Sequence, residues 1–237
     1  MNKASKVIGS GLMAGMLLVG TATVDAAEVT VGADLATAYV YLGETINDGF
    51  VFQPYLDLDI VEGPLAGLSF GVWGNIDIED MDGEFSSGNF SEVDFVLSYA
   101  LPIDALDISI GYTEFITEMR DADREIELTL GYDLAGFYPF LGLYYGIDGA
   151  DYLYTQAGVA YEMELIEGLD LGLSAAVAHM YVDDGESGFH DYTLSASLSY
   201  GIFNASLTYY GQIDDDVLTD EAYDVEFVGT FGISYTF

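Results

Sequence analysis

Apolar and polar residues alternate along most of the chain after position 27. The segments IELTL (residues 126–130) and YTLSASLSY (residues 192–200) show the pattern clearly. A period of two is that of a β-strand with one apolar and one polar face, because successive side chains point to opposite sides. No segment of the sequence in this region keeps a helical period. The pattern therefore predicts an all-β protein.

The alternation divides into twelve runs, each about ten residues long. They cover residues 29–43, 50–61, 67–78, 91–101, 105–116, 124–134, 137–147, 152–165, 168–181, 191–201, 203–213 and 224–237. Short turns and longer polar loops alternate between the runs, which is typical of bacterial outer-membrane barrels. We therefore predict a transmembrane antiparallel up-and-down β-barrel of twelve strands over residues 27–237. The even strand number places both termini on the short-turn, periplasmic side.

Aromatic residues cluster near the two ends of the predicted strands. Those near the short turns are Tyr99, Tyr132, Phe137, Tyr200, Phe203 and Phe237. Those toward the longer loops are Tyr39, Tyr41, Phe115, Tyr145, Tyr181 and Tyr209. We expect the two bands to lie at the two membrane interfaces, in contact with outer-membrane lipid.

The amino-terminal segment has the features of a secretory signal peptide. Lys3 and Lys6 give it a basic start, and residues 7–20 form an apolar run. This run of about 14 residues is shorter than the roughly 20 that a spanning helix needs. Val24 and Ala26 are suitable at the third and the last position before a cleavage site. We therefore expect residues 1–26 to be removed during export to the bacterial outer membrane.

Acidic residues far outnumber basic ones. The chain has 41 Asp and Glu residues against 4 Lys and Arg, and its formal net charge is −37 at pH 7. After residue 26, only Arg120 and Arg124 are basic. Such a chain repels phosphates, so nucleic acid is not an expected partner. A hydrophobic content of 51% separates it from acidic disordered segments, and the absence of cysteine excludes disulfides.

The polar faces of the predicted strands carry many carboxylates. If the apolar faces contact lipid, the candidate pore-lining residues are Asp34, Asp57, Trp73, Asn75, Asp94, Glu127, Asp133, Glu162 and Glu226. Two arginines cannot pair with so many acids, and burying an unpaired charge costs several kcal/mol. The lumen is therefore either hydrated or lined by bound cations. We predict a narrow, cation-preferring pore for small cationic or neutral solutes.

The predicted outer loops form an acidic rim. Its candidate residues are Asp80, Asp82, Glu84, Asp183, Asp184, Asp214, Asp215 and Asp216. Such a rim concentrates cations within a Debye length, about 8 Å at physiological salt. Adaptation to a salty exterior and diffuse Ca²⁺ or Mg²⁺ association are the alternative interpretations. Residues 77–84 lack the spacing of an EF-hand, so we predict no defined metal site and no cofactor.

Two other classes of barrel are alternatives to a channel. An outer-membrane hydrolase would need a nucleophile or an aspartate beside a histidine. No such motif surrounds His179, and His190 only adjoins Asp191 in sequence. We therefore predict a non-enzymatic protein. The other alternative is a non-conducting structural or adhesive barrel whose acidic loops bind divalent cations.

The last residues of the chain resemble the carboxy-terminal signal of bacterial outer-membrane proteins. That signal has a final aromatic residue preceded by apolar residues at every second position, here Phe231, Ile233, Tyr235 and Phe237. The resemblance implies that the barrel-assembly machinery folds this chain.

The segment AEVTVGADLATAYVYLGETINDG (residues 27–49) and the later FGVWGNID (residues 70–77) resemble the start of TorF family porins. The matching positions are Tyr39, Tyr41, Gly43 and Trp73, whereas Leu42 stands where an arginine is usual. The resemblance implies a small outer-membrane channel and no particular oligomeric state.

Overall fold

A computed structural model describes residues 26–79, 87–103, 105–117, 123–147, 152–183 and 185–237. Fourteen strands form within these residues. They are β1 (Ala27–Ala36), β2 (Tyr39–Tyr41), β3 (Glu44–Asn47), β4 (Val51–Ile60), β5 (Leu68–Asp77), β6 (Phe90–Ala100), β7 (Asp107–Thr117), β8 (Asp123–Gly131), β9 (Phe137–Gly146), β10 (Tyr152–Ile166), β11 (Leu169–Val182), β12 (Gly188–Tyr200), β13 (Phe203–Gln212) and β14 (Phe227–Thr236). No helix long and apolar enough to span a membrane occurs in the described ranges. The predicted signal peptide lies outside them, apart from Ala26.

Twelve of the strands form one closed barrel, in the order β1-β14-β13-β12-β11-β10-β9-β8-β7-β6-β5-β4. Every neighbouring pair is antiparallel, and the barrel closes where β1 pairs with β14, with Thr30 opposite Thr236. The predicted all-β, twelve-stranded antiparallel barrel is therefore confirmed. Apart from the first run, each predicted strand agrees with an observed one to within about three residues at either end.

The first predicted strand, residues 29–43, is wrong beyond Ala36. The chain leaves the barrel wall at Thr37, whose backbone N–H donates to the Gly229 carbonyl at 3.0 Å and whose hydroxyl accepts from the Gly229 N–H at 3.0 Å. Strands β2 and β3 then form a separate two-stranded sheet. The alternating pattern alone could not distinguish a strand of the barrel wall from a strand of a separate sheet, because small and aromatic residues are compatible with both.

The outward faces of the barrel strands are apolar. Leu97, Ile110, Leu194, Leu207 and Phe231 are each about half exposed. A closed barrel pairs its backbone groups between strands without leaving a free edge, as a lipid environment requires. Together, the apolar surface and the closed fold indicate a barrel embedded in a membrane.

The aromatic bands match the prediction only in part. Near the short turns, Tyr99, Tyr132, Phe137, Tyr200, Phe203 and Phe237 are all exposed on the outside. At the long-loop end, Tyr145 and Tyr181 are exposed. Tyr39 and Phe115, by contrast, are buried, and Tyr41 contacts Phe115 inside the barrel. Their predicted place at the membrane interface is therefore wrong.

Both ends of the described chain lie at the same end of the barrel. The Phe237 N–H donates to the Val29 carbonyl at 2.9 Å, and the Ala26 carbonyl accepts from the Val61 N–H in the β4–β5 turn at 3.1 Å. This is the end with the short turns. The hairpin of β2 and β3 belongs to the opposite, long-loop end, because it follows β1.

Candidate functional site in the barrel lumen

Strands β2 and β3 form a hairpin, residues 39–47, which we call the inner hairpin. Leu42 and Gly43 connect its strands with φ angles of 47° and 86°. Two successive residues with positive φ are typical of the type I′ turn, whose twist matches that of tight hairpins. Leucine rarely adopts such a φ, so packing around its side chain must hold it there.

The inner hairpin crosses the lumen. Near its start, the Tyr39 ring contacts the Trp73 ring on β5 with a centroid distance of 5.4 Å. At its tip, Leu42 contacts a buried cluster on β9, β10 and β11. The cluster consists of Tyr144, Tyr154, Ala178 and Met180. Since β9 and β10 lie opposite β1 in the ring of strands, the hairpin spans the barrel and narrows its long-loop half.

Side chains on β3 form hydrogen bonds that hold the inner hairpin against the rest of the barrel. The Thr45 hydroxyl accepts hydrogen bonds from the backbone N–H groups of Asp224 and Val225, at 3.2 and 3.1 Å. The Asn47 amide donates to the Asp77 carboxylate on β5 at 2.6 Å. The hairpin is therefore held on two sides, by the β13–β14 loop and by β5.

The hairpin tip lies against a buried polar group on β10 and β12. The Tyr154 hydroxyl donates to Asp191 Oδ2 at 2.9 Å, and His190 Nδ1 lies 3.0 Å from the same oxygen. His190 and Asp191 are each only 1% exposed. A Cβ atom on Gly43 would lie 2.7 Å from Asp191 Oδ2, so only glycine fits at the tip without displacing this group.

Four acidic residues on β6 and β8 lie beside the hairpin; Glu92, Asp94, Glu125 and Glu127 form what we call the lumen carboxylate cluster. The hydroxyls of Tyr41 and Tyr152 both donate to Glu125 Oε2, at 2.9 and 2.7 Å. Glu127 Oε1 accepts from the Thr113 hydroxyl at 3.2 Å. Burial raises the pKa of Tyr39 and of Tyr41 well above that of a free phenol, so both hydroxyls remain protonated.

Several buried carboxylate oxygens near the hairpin accept no hydrogen bond from an N–H or O–H group of the described residues. They are both oxygens of Asp94, Glu125 Oε1, Asp77 Oδ2 and Asp191 Oδ1. Arg124 is the one Lys or Arg in the described part of the chain, and it lies on the outer face of β8, 3.8 Å from Glu114. The described lumen therefore has many carboxylates and no lysine or arginine.

The predicted pore-lining residues fall into two groups. Asp34, Trp73, Asn75, Asp94 and Glu127 are buried inside the barrel, and Asp57 lies on the inward face of β4. The remaining three, Asp133, Glu162 and Glu226, are exposed.

These three exposed residues lie toward the ends of the barrel. Asp133 is in the β8–β9 turn, where it accepts a hydrogen bond from the Gly136 N–H at 3.1 Å. Glu162 is near the short-turn end of β10, and Glu226 immediately precedes β14. Their place in the pore therefore stays a prediction.

The acidic rim is only partly described. Asp80, Asp82, Glu84 and Asp184 lie outside the described residues. Asp183 is exposed, as are Asp214, Asp215 and Asp216, whose carboxylates come within 4.8 Å of one another. On β14 and just after it, Phe231, Ile233, Tyr235 and Phe237 are each about half exposed on the outer face.

The other half of the lumen, toward the short turns, is lined by serine and threonine side chains together with carboxylates such as Asp57. Ser109 on β7 hydrogen bonds to Thr129 on β8, and Ser195 on β12 lies 3.0 Å from Thr208 on β13. Twelve strands enclose a wider interior than the eight that side chains alone can fill. Small residues of this kind therefore leave room inside this half.

Sequence reasoning missed the inner hairpin and several of its partners. Glu125 and Asp191 lie at the loop ends of the predicted strands 124–134 and 191–201 and are not among the predicted pore-lining residues, whereas both are buried in the lumen. The position of Glu125 could have been predicted, because residues two apart in a strand lie on the same face and Glu127 was predicted to face the lumen. His190 could not be recognised, because its importance depends on the hairpin tip.

The two histidines occupy different environments. His190 is buried beneath the hairpin tip, with Asp191 and Tyr154 around it. His179 on β11 contacts the Phe189 ring with a centroid distance of 5.8 Å. His190 and Asp191 form the only histidine–carboxylate ion pair among the described residues, and both side chains are shielded from solvent.

No protein-family model matches the chain, and a comparison with curated proteins finds no match. Solved structures are similar in fold. A chain from work on the in-meso crystallization of membrane proteins is 10% identical, with a TM-score of 0.51, covering 89% of this chain and 84% of that chain. An outer membrane channel from Pseudomonas putida F1 is 11% identical, with a TM-score of 0.49, covering 92% and 97%. The NanC porin is 11% identical, with a TM-score of 0.48, covering 89% and 98%. At these identities the similarity concerns the fold alone.

Proposed function

We propose that this protein is an outer-membrane channel for small hydrophilic solutes or ions, that it prefers cations, and that the inner hairpin sets the width of its pore. The observation that carries the proposal is the charge of the lumen. Buried carboxylates line it, and the described residues place no lysine or arginine beside them. Such a lumen favours cations and disfavours anions.

The two halves of the lumen support different parts of this proposal. Serine and threonine side chains toward the short turns suit a hydrated passage for cationic or neutral solutes. The hairpin fills part of the long-loop half and brings Tyr41 against Glu125. A solute would therefore pass from an acidic rim, beside the hairpin and its carboxylates, into a wider polar chamber.

The proposal includes an orientation and a route of assembly. The short turns and both termini would face the periplasm, and the acidic loops the exterior. The outward residues from Phe231 to Phe237 support assembly by the barrel-assembly machinery. A relationship to TorF family porins is also proposed, since the four resembling positions either belong to the inner hairpin or contact it. Tyr39 contacts Trp73, and Gly43 forms the hairpin tip.

A non-conducting structural or adhesive barrel is the second candidate. The observation in its favour is the close packing of the inner hairpin, in which Tyr39 and Trp73 are 3% and 7% exposed. In that case the exposed acids at 214–216 would bind divalent cations and neighbouring components of the envelope. We propose no enzymatic activity for either candidate.

Charge-neutralising variants test the cation preference. In a planar bilayer under a KCl gradient, Glu127→Gln with Asp57→Asn should reduce the displacement of the reversal potential toward that of potassium. The matched control, Asp133→Asn with Glu62→Gln, removes the same charge from exposed turns and should leave the displacement close to wild type. Equal effects of the two double variants would exclude the lumen carboxylates as the source of selectivity.

A further inference from the structure

We infer that Asp94 and Glu125 form a binding site for a divalent cation of the calcium type, inside the lumen and beneath the inner hairpin. The site goes beyond the proposed channel function and does not require the barrel to conduct. It rests on buried carboxylate oxygens to which no described N–H or O–H group donates, and on the acids that surround them.

The first observation is the contact between two acids at Asp94. The Asp94 side chain is 0% exposed, and no described N–H or O–H group donates to either of its carboxylate oxygens. The group within hydrogen-bonding reach is another carboxyl, that of Glu92. Two carboxylates in contact repel each other unless a proton or a cation lies between them, and we assign that place to a cation.

The second observation is the way in which Glu125 is held. Its side chain is also 0% exposed, and the hydroxyls of Tyr41 and Tyr152 both donate to Oε2. Oε1 has no partner among the described residues. Two donors fix the carboxylate as an acceptor and leave one oxygen directed away from them, which is the arrangement of a ligand fixed by supporting hydrogen bonds.

The third observation is the concentration of negative charge. Glu92 and Glu125 both lie within electrostatic range of Asp94, and β6 and β8 flank a single strand, β7. Adjacent strands are about 4.8 Å apart, so the two strands that carry the acids are roughly 10 Å apart. Side chains extending from both strands can therefore approach a common ion, and the described residues provide no lysine or arginine to neutralise them.

The donor set selects the type of ion. Asp94 offers two oxygens and Glu125 offers one, with Glu92 and Glu127 nearby. Ca²⁺ accepts six to eight oxygen ligands in flexible geometry, whereas Mg²⁺ demands a near-ideal octahedron. The lumen acids do not converge as closely as the exposed carboxylates of residues 214–216, which lie within 4.8 Å of one another. The bound ion would therefore keep part of its water shell.

Terbium luminescence tests the site, because Tb³⁺ replaces Ca²⁺ at oxygen ligands and is excited through nearby tyrosines such as Tyr41 and Tyr152. The mature barrel, refolded in detergent, should show a saturable Tb³⁺ signal that Ca²⁺ displaces. Asp94→Asn with Glu125→Gln should weaken the affinity at least tenfold. Replacing Asp214, Asp215 and Asp216 with Asn should leave this component unchanged.

Folding of each variant is checked by heat-modifiable migration in gels. If the double variant does not fold, Glu125→Gln alone is decisive. Its amide oxygen can still accept from Tyr41 and Tyr152, while its NH₂ group takes the place of Oε1 and repels a cation. Retention of wild-type Tb³⁺ affinity in a folded lumen variant, or its loss in the variant at 214–216, would overturn the site. Cation-selective currents without the saturable Tb³⁺ signal would support the channel function and exclude the cation site. The Tb³⁺ signal without currents would support the cation site and exclude the channel function.

Discussion

Replacing Gly43 with alanine should undock the tip of the inner hairpin and widen the pore. Gly43 has a φ of +86°, and an added Cβ would lie 2.7 Å from Asp191 Oδ2 and 3.1 Å from His190 Nδ1. Asp191 cannot easily move away, because it is buried and is held by the Tyr154 hydroxyl. The chain also offers a matched control in Gly88, which has the same φ of +86° and where an added Cβ would meet nothing within 4 Å.

The comparison separates two energetic effects. An alanine in the left-handed region costs about 1–2 kcal/mol, and both variants share this penalty. Overpacking a buried site costs about 1–3 kcal/mol more, and only the variant at Gly43 suffers it. The ratio of docked to undocked hairpin should therefore fall by roughly 5-fold to 150-fold relative to the control.

Single-channel recording in planar bilayers provides the assay. Gly43→Ala should raise the single-channel conductance or the fraction of time spent in the largest conductance state, and Gly88→Ala should resemble wild type. The reasoning is refuted if both variants behave alike, or if Gly43→Ala folds and conducts as wild type does. Either result would mean that the hairpin tip does not limit the pore.

Three further predictions concern other parts of the barrel. Tyr154→Phe removes the 2.9 Å hydrogen bond to Asp191 and should lower the free energy of unfolding by about 1–3 kcal/mol in urea titrations, and an unchanged value would contradict the role of this bond. Phe237→Ser keeps the backbone pairing but removes an outward ring that is 56% exposed, so refolding in detergent should be normal while the yield in the outer membrane falls. Phe203→Ser, at a ring that is 50% exposed, is the control, and equal yields would argue against a carboxy-terminal signal. Asparagine at residues 214–216 should reduce conductance in dilute salt but not at 1 M, where the Debye length is only about 3 Å, and a loss that persists at 1 M would point to a structural effect.

The barrel itself could be predicted from the sequence because its wall follows a simple physical rule. One face of each strand contacts an apolar environment and the other does not, so the period of two is encoded residue by residue. The outward side chains from Phe231 to Phe237 and the buried Asp94 and Glu127 fall on the faces that alternation assigns to them. The lengths of the connections then distinguish the short-turn end of the barrel from the long-loop end.

The inner hairpin could not be predicted in this way, because both of its faces contact protein. Tyr39 and Tyr41 have the spacing of an interfacial band, yet Tyr39 contacts Trp73 and Tyr41 donates to Glu125 across the lumen. The turn signal was equally weak. A type I′ turn usually carries asparagine or glycine at its first central position, and here leucine occupies it because the cluster around Tyr144 and Met180 holds its side chain.

The carboxylate sites depend on the same long-range packing. Whether Glu125 lies at a rim or in the lumen depends on where β8 begins, and a shift of a few residues at a strand end changes the answer. The chemistry at Asp191 requires two strands, β10 and β12, and the hairpin tip to meet. The spacing of residues in the sequence does not show which of them come into contact in the folded barrel.

The central claim is that the lumen conducts and that its carboxylates select cations. The most direct measurement is the single-channel current of the refolded mature protein in a planar bilayer under a KCl gradient. A cation-selective lumen should give discrete current steps with a reversal potential displaced toward that of potassium. Folded protein that gives no current, or a reversal potential at zero or displaced toward that of chloride, would contradict it.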